Sequence, residues 1–231
     1  MKPKALIFDV DGTLAETEEA HRSAFNRTFK EVDFDWFWTT EDYRRLLKTT
    51  GGKERMKRHR IDIRAEWPGD SEIAQLHRRK TEIYTEIVAS GELGLRPGVA
   101  ELIATAKHAG VRIAIATTTN RPNVDALCEV CWGCPADEIF EVIAAGDEVA
   151  AKKPAPDVYN LALERMKLPA ADCIAFEDSQ NGLLSAQAAG LPVVLTPSAY
   201  TCDEDFKRAE WVIPDLTMEN LPELLRFTTN A

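Results

Sequence analysis

Asp9 and Asp11 stand one residue apart in the run Phe8-Asp9-Val10-Asp11-Gly12-Thr13-Leu14, directly after the apolar stretch Ala5-Leu6-Ile7. A short buried strand ending in Asp-x-Asp-Gly places one carboxylate at the strand tip and the second on the turn just beyond it. Carboxylates in that position can serve as nucleophile, as acid and base, or as metal ligands. Asp and Gly also favour turns for conformational reasons alone, so the tetrad takes its meaning from later segments. A second apolar run, Val111 to Ala116, ends in Thr117-Thr118-Thr119-Asn120. Lys153 follows in Lys152-Lys153-Pro154-Ala155-Pro156-Asp157, and a third run, Cys173 to Phe176, ends in Glu177-Asp178-Ser179. A hydroxyl, a lysine and a second acidic pair therefore accompany the first pair.

The intervening pattern says how these groups are held. Near-continuous apolar strands are expected at the run Ala5-Leu6-Ile7 leading into the aspartates and at 111–116, 140–143, 173–176 and 192–195. They alternate with helices expected at 99–109, 123–132, 157–167 and 181–188, which is the signature of a parallel, doubly wound α/β sheet. Between residues 15 and about 92 only helical spacing is found. His21, Phe25 and Phe29 mark one helix, Tyr43, Leu46 and Leu47 a second, and 73–88 a third. The expected organisation is a Rossmann-like core from 1–14 and 95–231, with an all-helical insertion at 15–94. Ligands of such sheets bind at the carboxyl ends of the strands, where Asp9, Asp11, Thr117, Glu177 and Asp178 all fall. An insertion leaving the core straight after the first strand must cover that crevice as a cap.

Composition narrows the function. The chain has 231 residues, 45% of them hydrophobic, and a net charge of −10. That balance disfavours a nucleic-acid partner, although a cationic pocket can sit inside an acidic protein. No apolar run reaches the length of a membrane span. Met1-Lys2-Pro3-Lys4 leads straight into the first strand, so no signal peptide is expected and a cytoplasmic location is. Cys128, Cys131 and Cys134 have the spacing of a partial metal site, but Cys128 and Cys131 share one face of the helix expected at 123–132 and are better read as small apolar residues.

In their order and spacing, the Asp-x-Asp-Gly-Thr-Leu, strand-end Thr, Lys-Pro and Glu-Asp-Ser segments resemble those of the haloacid dehalogenase superfamily. The resemblance implies phosphoryl transfer. Asp9 would attack phosphorus and form an aspartyl-phosphate. Asp11 would protonate the leaving oxygen and then deprotonate the hydrolytic water. Thr117 would donate its hydroxyl to the phosphoryl group, and Lys153 would supply a fixed cation. Mg²⁺ would be held by Asp9, Asp11 (through its backbone carbonyl) and Asp178. Glu177 would bind it directly, through water, or only shape the strand end.

The insertion carries its own signal in Thr49-Thr50-Gly51-Gly52-Lys53-Glu54-Arg55. Two glycines before two cations suggest a loop offering backbone N–H groups and charge to a second phosphate. The alternative is a helix N-terminus with surface charges. Glu18 and His21, just after the nucleophile turn, could meet sugar hydroxyls, although His21 also shares a helix face with Phe25. Thr118 and Asn120 are expected beside the substrate at the second strand end.

Phe-Asp-Val-Asp-Gly-Thr-Leu-Ala-Glu-Thr-Glu, Asp35-Trp36-Phe37-Trp38 and Thr-Thr-Gly-Gly-Lys-Glu-Arg together resemble the CbbY-type phosphatases, relatives of β-phosphoglucomutase. That resemblance covers essentially the whole chain. It implies hydrolysis of xylulose 1,5-bisphosphate, an inhibitor of Rubisco, to xylulose 5-phosphate in the Calvin cycle. The expected partner is therefore a small-molecule sugar bisphosphate, with the protein acting as a monomer. A phosphomutase or a broader sugar phosphatase would use the same core residues.

Overall fold

The computed structural model describes residues 2–91 and 93–227. Met1, Glu92 and 228–231, which fall within the expected core and insertion, lie outside the described residues. Six strands form one sheet in the order β3-β2-β1-β4-β5-β6, every neighbouring pair parallel. They are β1 (Ala5–Phe8), β2 (Arg112–Ala116), β3 (Val142–Ala144), β4 (Cys173–Glu177), β5 (Val193–Leu195) and β6 (Trp211–Val212). The first five are the apolar runs of the sequence. β6 is two residues long and half open to solvent, too short for any periodicity to mark it.

Alternation along the strands divides the core in two. Leu6, Phe8, Ile113, Ile115, Ile174 and Phe176 face α5 (Val99–His108) and α6 (Arg121–Trp132). The opposite face is built from Ala5, Ile7, Ala114, Ala116, Ala144 and Ala175. Its small side chains let α8 (Asp157–Met166) and α9 (Gln180–Ala188) approach closely. A one-turn α7 (Ala136–Ile139), which the sequence pattern does not announce, joins α6 to β3. Cys128 is buried in the first cluster with Cys131 and Cys134 packed against it, and all five cysteines are free.

Between β1 and α5 the chain forms α1 (Glu18–Glu31), α2 (Thr40–Leu46), α3 (Gly52–Asp62) and α4 (Asp70–Ala89). These helices have apolar clusters of their own. Phe25, Phe29, Trp38, Tyr43, Met56 and Ile73 make one. Ala24, Ile83, Tyr84 and Val88 make another, which rests on Ala126 and Val130 of α6. The Gly51-Gly52-Lys53 segment expected as a loop is the start of α3, with Gly51 as N-cap at φ 89°. A positive φ is why glycine is suited to that position.

Candidate active site

Parallel register brings the ends of β1 and β4 side by side, with the Asp9 N–H donating to the carbonyl of Phe176 at 3.0 Å. Lys153 Nζ donates to Asp9 Oδ1 and to Glu177 Oε1, each at 2.6 Å, and the hydroxyl of Tyr159 donates to the same Glu177 oxygen at 2.6 Å. Asp178 completes the group. The ligand oxygens of Asp9, Glu177 and Asp178 lie within 4.8 Å of one another. Thr201 fixes Asp178 by donating its hydroxyl to the Asp178 main-chain carbonyl at 2.7 Å. Gly12, at φ 80°, leaves the space into which the Asp178 carboxylate projects, where any Cβ would overlap it.

Burial dominates the electrostatics. It raises the Asp9 carboxyl to about 7, with Glu177 and Asp11 adding to the rise and Lys153 opposing it. Asp178 is raised well above the ordinary carboxylate range by burial and by its acidic neighbours. Lys153 is pushed up to about 12, because Asp9 and Glu177 outweigh the burial that alone would lower it.

Asp11 belongs to a second network. It accepts from the Thr17 hydroxyl at 2.6 Å and from His21 Nε2 at 3.0 Å. His21 Nδ1 faces Lys80 Nζ at 2.5 Å, and the imidazole stacks on Tyr84 with ring centroids 4.0 Å apart. Burial alone would raise Asp11. The charge and hydrogen bond of His21, with help from Thr17 and Lys80, hold it below the usual carboxylate range instead. Both His21 nitrogens are engaged within the protein, so its position is set by Asp11 and Lys80. Glu18 accepts from the Tyr43 hydroxyl at 2.8 Å, which in turn accepts from Arg55 Nη1 at 2.7 Å.

Both networks open on one cleft of about 550 Å³. Asp9, Asp11, Lys153, Glu177 and Asp178 line its floor. Glu18, His21, Thr50, Gly51, Gly52, Lys53, Arg55 and Lys80 line the side formed by α1, α3 and α4. His77 also faces it, its imidazole lowered to about 3 by burial and by the cations around it. The hydroxyl of Thr50 donates to the main-chain carbonyl of Lys153, joining the two sides. Thr118 and Asn120 line the cleft, but the Asn120 amide is already employed. Its Oδ1 caps α6 through the Asn123 N–H, and its Nδ2 donates to Thr81 of α4 at 3.1 Å. Thr117 is buried at the end of β2, just behind the lining residues, where its hydroxyl oxygen accepts from the Thr119 N–H at 3.2 Å.

Residues 3–190 match the haloacid dehalogenase-like hydrolases. The chain belongs to that family. This hydrolase is 63% identical over 227 residues to the protein CbbY of Rhodobacter capsulatus, covering 97% of this chain and 100% of that one. It also superposes with a TM-score of 0.89 and 52% identity on a mutant CbbY of Rhodobacter sphaeroides in complex with xylulose-(1,5)bisphosphate, covering 93% of this chain and 95% of that one. A β-phosphoglucomutase of Clostridium difficile shares the fold at 19% identity, with a TM-score of 0.78 over 94% of this chain and 92% of that one. The chain is an enzyme of this family and a phosphatase.

The acidic floor of the hydrolase fits a hard divalent cation. Three buried carboxylates lie together with the Lys153 ammonium on two of them, the donors are all oxygen, and among the described residues Glu177 Oε2 is buried with no hydrogen-bond partner. Oxygen-only donors suit Mg²⁺ rather than a softer metal. Tyr43, His77, Tyr159 and Thr201 were not singled out as functional from sequence. Tyr159 falls within the helix expected at 157–167, His77 within that expected at 73–88, Tyr43 marks the second helix expected in the insertion, and Thr201 follows the last expected strand.

Proposed function

We propose that this phosphatase hydrolyses a sugar bisphosphate, xylulose 1,5-bisphosphate, to xylulose 5-phosphate, removing an inhibitor of Rubisco. The observation that carries the reading is the cleft's two-ended character. Its floor holds a carboxylate nucleophile beside Lys153, and the facing wall holds Lys53, Arg55 and Lys80 beside the N-terminus of α3. A ligand with a phosphate at each end answers both. In this reading residues 15–94 form the cap that selects the substrate. The enzyme is read as a monomer, and its five free cysteines suit the reducing cytoplasm.

Asp9 would attack phosphorus in line and carry the phosphoryl group as an acyl phosphate. The Lys153 ammonium, fixed 2.6 Å from the nucleophile, keeps Asp9 oriented and offers charge to the phosphoryl oxygens. The Thr117 hydroxyl, behind the lining, would donate to the same oxygens. Asp11 is held ionised by its surroundings, the state that takes a proton from the hydrolytic water. A phosphate dianion arriving beside it would favour the protonated form needed to release the leaving alkoxide. Asp9, the Asp11 carbonyl and Asp178 would hold Mg²⁺, with Glu177 behind them. Bound there, the cation would screen the repulsion between carboxylate and phosphate.

The test is a steady-state comparison of xylulose 1,5-bisphosphate with other sugar mono- and bisphosphates, with and without Mg²⁺. Preference for xylulose 1,5-bisphosphate, with release of one phosphate, supports the reading. Conversion of β-glucose 1-phosphate in the presence of its bisphosphate, without phosphate release, would replace it by a mutase.

A further inference from the structure

Arg96 lies where the chain returns from the four helices to the core, and both terminal nitrogens of its guanidinium are engaged by the catalytic end of the sheet. Nη1 donates to the carbonyl of Gly12, to that of Thr196 at 2.7 Å and to the Thr196 hydroxyl at 3.2 Å. Nη2 donates to the carbonyl of Pro197 at 2.8 Å, and Nε lies 3.4 Å from Glu16. The Arg96 main-chain N–H donates to Leu14 at 2.8 Å, and Leu95 bridges antiparallel to Ala15. The two chain crossings between helices and core thus run side by side, with Arg96 clamped across them.

Its partners belong to the two segments that set the site's geometry. Gly12 lies within the turn that follows Asp11 and makes room for Asp178. Thr196 and Pro197 lead into Ser198, which bonds through its N–H to Thr201, the residue that holds Asp178. Carbonyl oxygens drawn together this way repel one another unless donors converge on them. A planar guanidinium supplies several donors in a fixed fork, which the single ammonium of lysine does not.

We propose that Arg96 is a positioning residue for phosphoryl transfer. It locks the Asp11 turn to the loop at 196–201 and ties both to the bridged crossings at Ala15 and Leu95, so that the placement of Asp11 relative to Asp178 depends on this clamp. The kinetic part rests on the phosphatase reading.

Arg96→Gln and Arg96→Lys test it, with p-nitrophenyl phosphate kinetics and amide hydrogen exchange on the substrate-free protein. Arg96→Gln should lose about ten- to a hundredfold in kcat per folded enzyme, as small misplacements of reacting groups do, with KM within about twofold. Arg96→Lys should regain part of that loss. Exchange should quicken at 10–16 and 196–201 together while α8 keeps its protection. Wild-type kcat in Arg96→Gln overturns the proposal, as does faster exchange in one segment only or across the whole chain. Should Arg96→Gln fail to fold, Arg96→Lys must show the same changes in smaller measure, and wild-type behaviour there overturns it equally. If the unaltered protein turns over no phosphate ester, the phosphatase reading fails while the exchange result still decides the role of Arg96.

Discussion

Lys80 Nζ lies 2.5 Å from His21 Nδ1, at the point where the cap helices meet the Asp11 network. The contact fixes the imidazole between an ammonium and a carboxylate, and it places a buried cation at the cleft. Burial lowers Lys80 from 10.5 to about 7, with Arg55 adding to the fall and Asp11 and Glu18 opposing it. The unfolded chain keeps this proton to far higher pH than the folded one. Between about 7 and 10.5 the unfolded state therefore binds more protons, and this group makes stability rise with pH across that window. Lys80→Met has no such proton. Its melting temperature should exceed that of the wild type near neutral pH and lose most of the excess toward the upper end of the window. A difference that does not vary with pH would show that Lys80 is not buried as a titrating group. Over the same range KM for a bisphosphate should rise as Lys80 loses its charge, which the variant should not reproduce.

Asp9→Asn should abolish turnover while leaving the fold intact. The amide is nearly isosteric and can still accept from Lys153, but it cannot form the acyl phosphate. A drop of about a thousandfold or more in kcat is expected for loss of a covalent nucleophile. Fluoroberyllate should bind the wild type and not the variant. Retained activity, with deamidation excluded by mass spectrometry, would remove the covalent mechanism.

Metal dependence can be read without activity. A cation that binds the folded site alone stabilises it by mass action, about 2.7 kcal/mol at one hundred times its Kd. Mg²⁺ should thus raise the melting temperature of EDTA-treated protein, and Asp178→Ala should remove that rise along with most of the catalytic activation. Exhaustively chelated protein with full activity would contradict the assignment of Asp9, Asp11 and Asp178 as ligands.

The strands and the acidic floor were legible in sequence because they rest on local signals. Apolar runs give β1, β2 and β4, and the residues that end them must share one edge of a parallel sheet. What escaped depends on contacts between residues distant in sequence. Nothing near Tyr159 shows that its hydroxyl meets Glu177, and nothing in the Tyr43 segment shows that its ring sits under Arg55. The spacing of α4 places Lys80 on a helix but not its burial against His21, which needs α1 and α4 packed together. The reading of residues 51–53 as a loop failed because glycine lowers helix propensity, whereas here it opens the helix as N-cap and first residue.

The distal wall of the cleft separates two cations that sequence treats alike. Lys53 is exposed on the first turn of α3, free to follow a ligand. Arg55 is buried, with Nη1 on the Tyr43 hydroxyl at 2.7 Å, Nε directed at the Thr49 carbonyl, and its plane over the Tyr43 ring. If both meet the second phosphate, Arg55 does so from a preset position and Lys53 by adjustment from solvent. A lost hydrogen bond to a charged group costs about 1.5–3 kcal/mol, or roughly ten- to a hundredfold in affinity. Arg55→Ala should fall at the upper end of that range for xylulose 1,5-bisphosphate, because it also leaves the Tyr43–Glu18 pair without its cation. Lys53→Ala should fall at or below the lower end. p-Nitrophenyl phosphate carries no second phosphate, so the loss in its kcat/KM should be smaller by about tenfold or more in Arg55→Ala. Equal losses on both substrates would mean that Arg55 serves cap packing alone, and the preference for a bisphosphate would then have to come from Lys53, Lys80 and the N–H groups of α3.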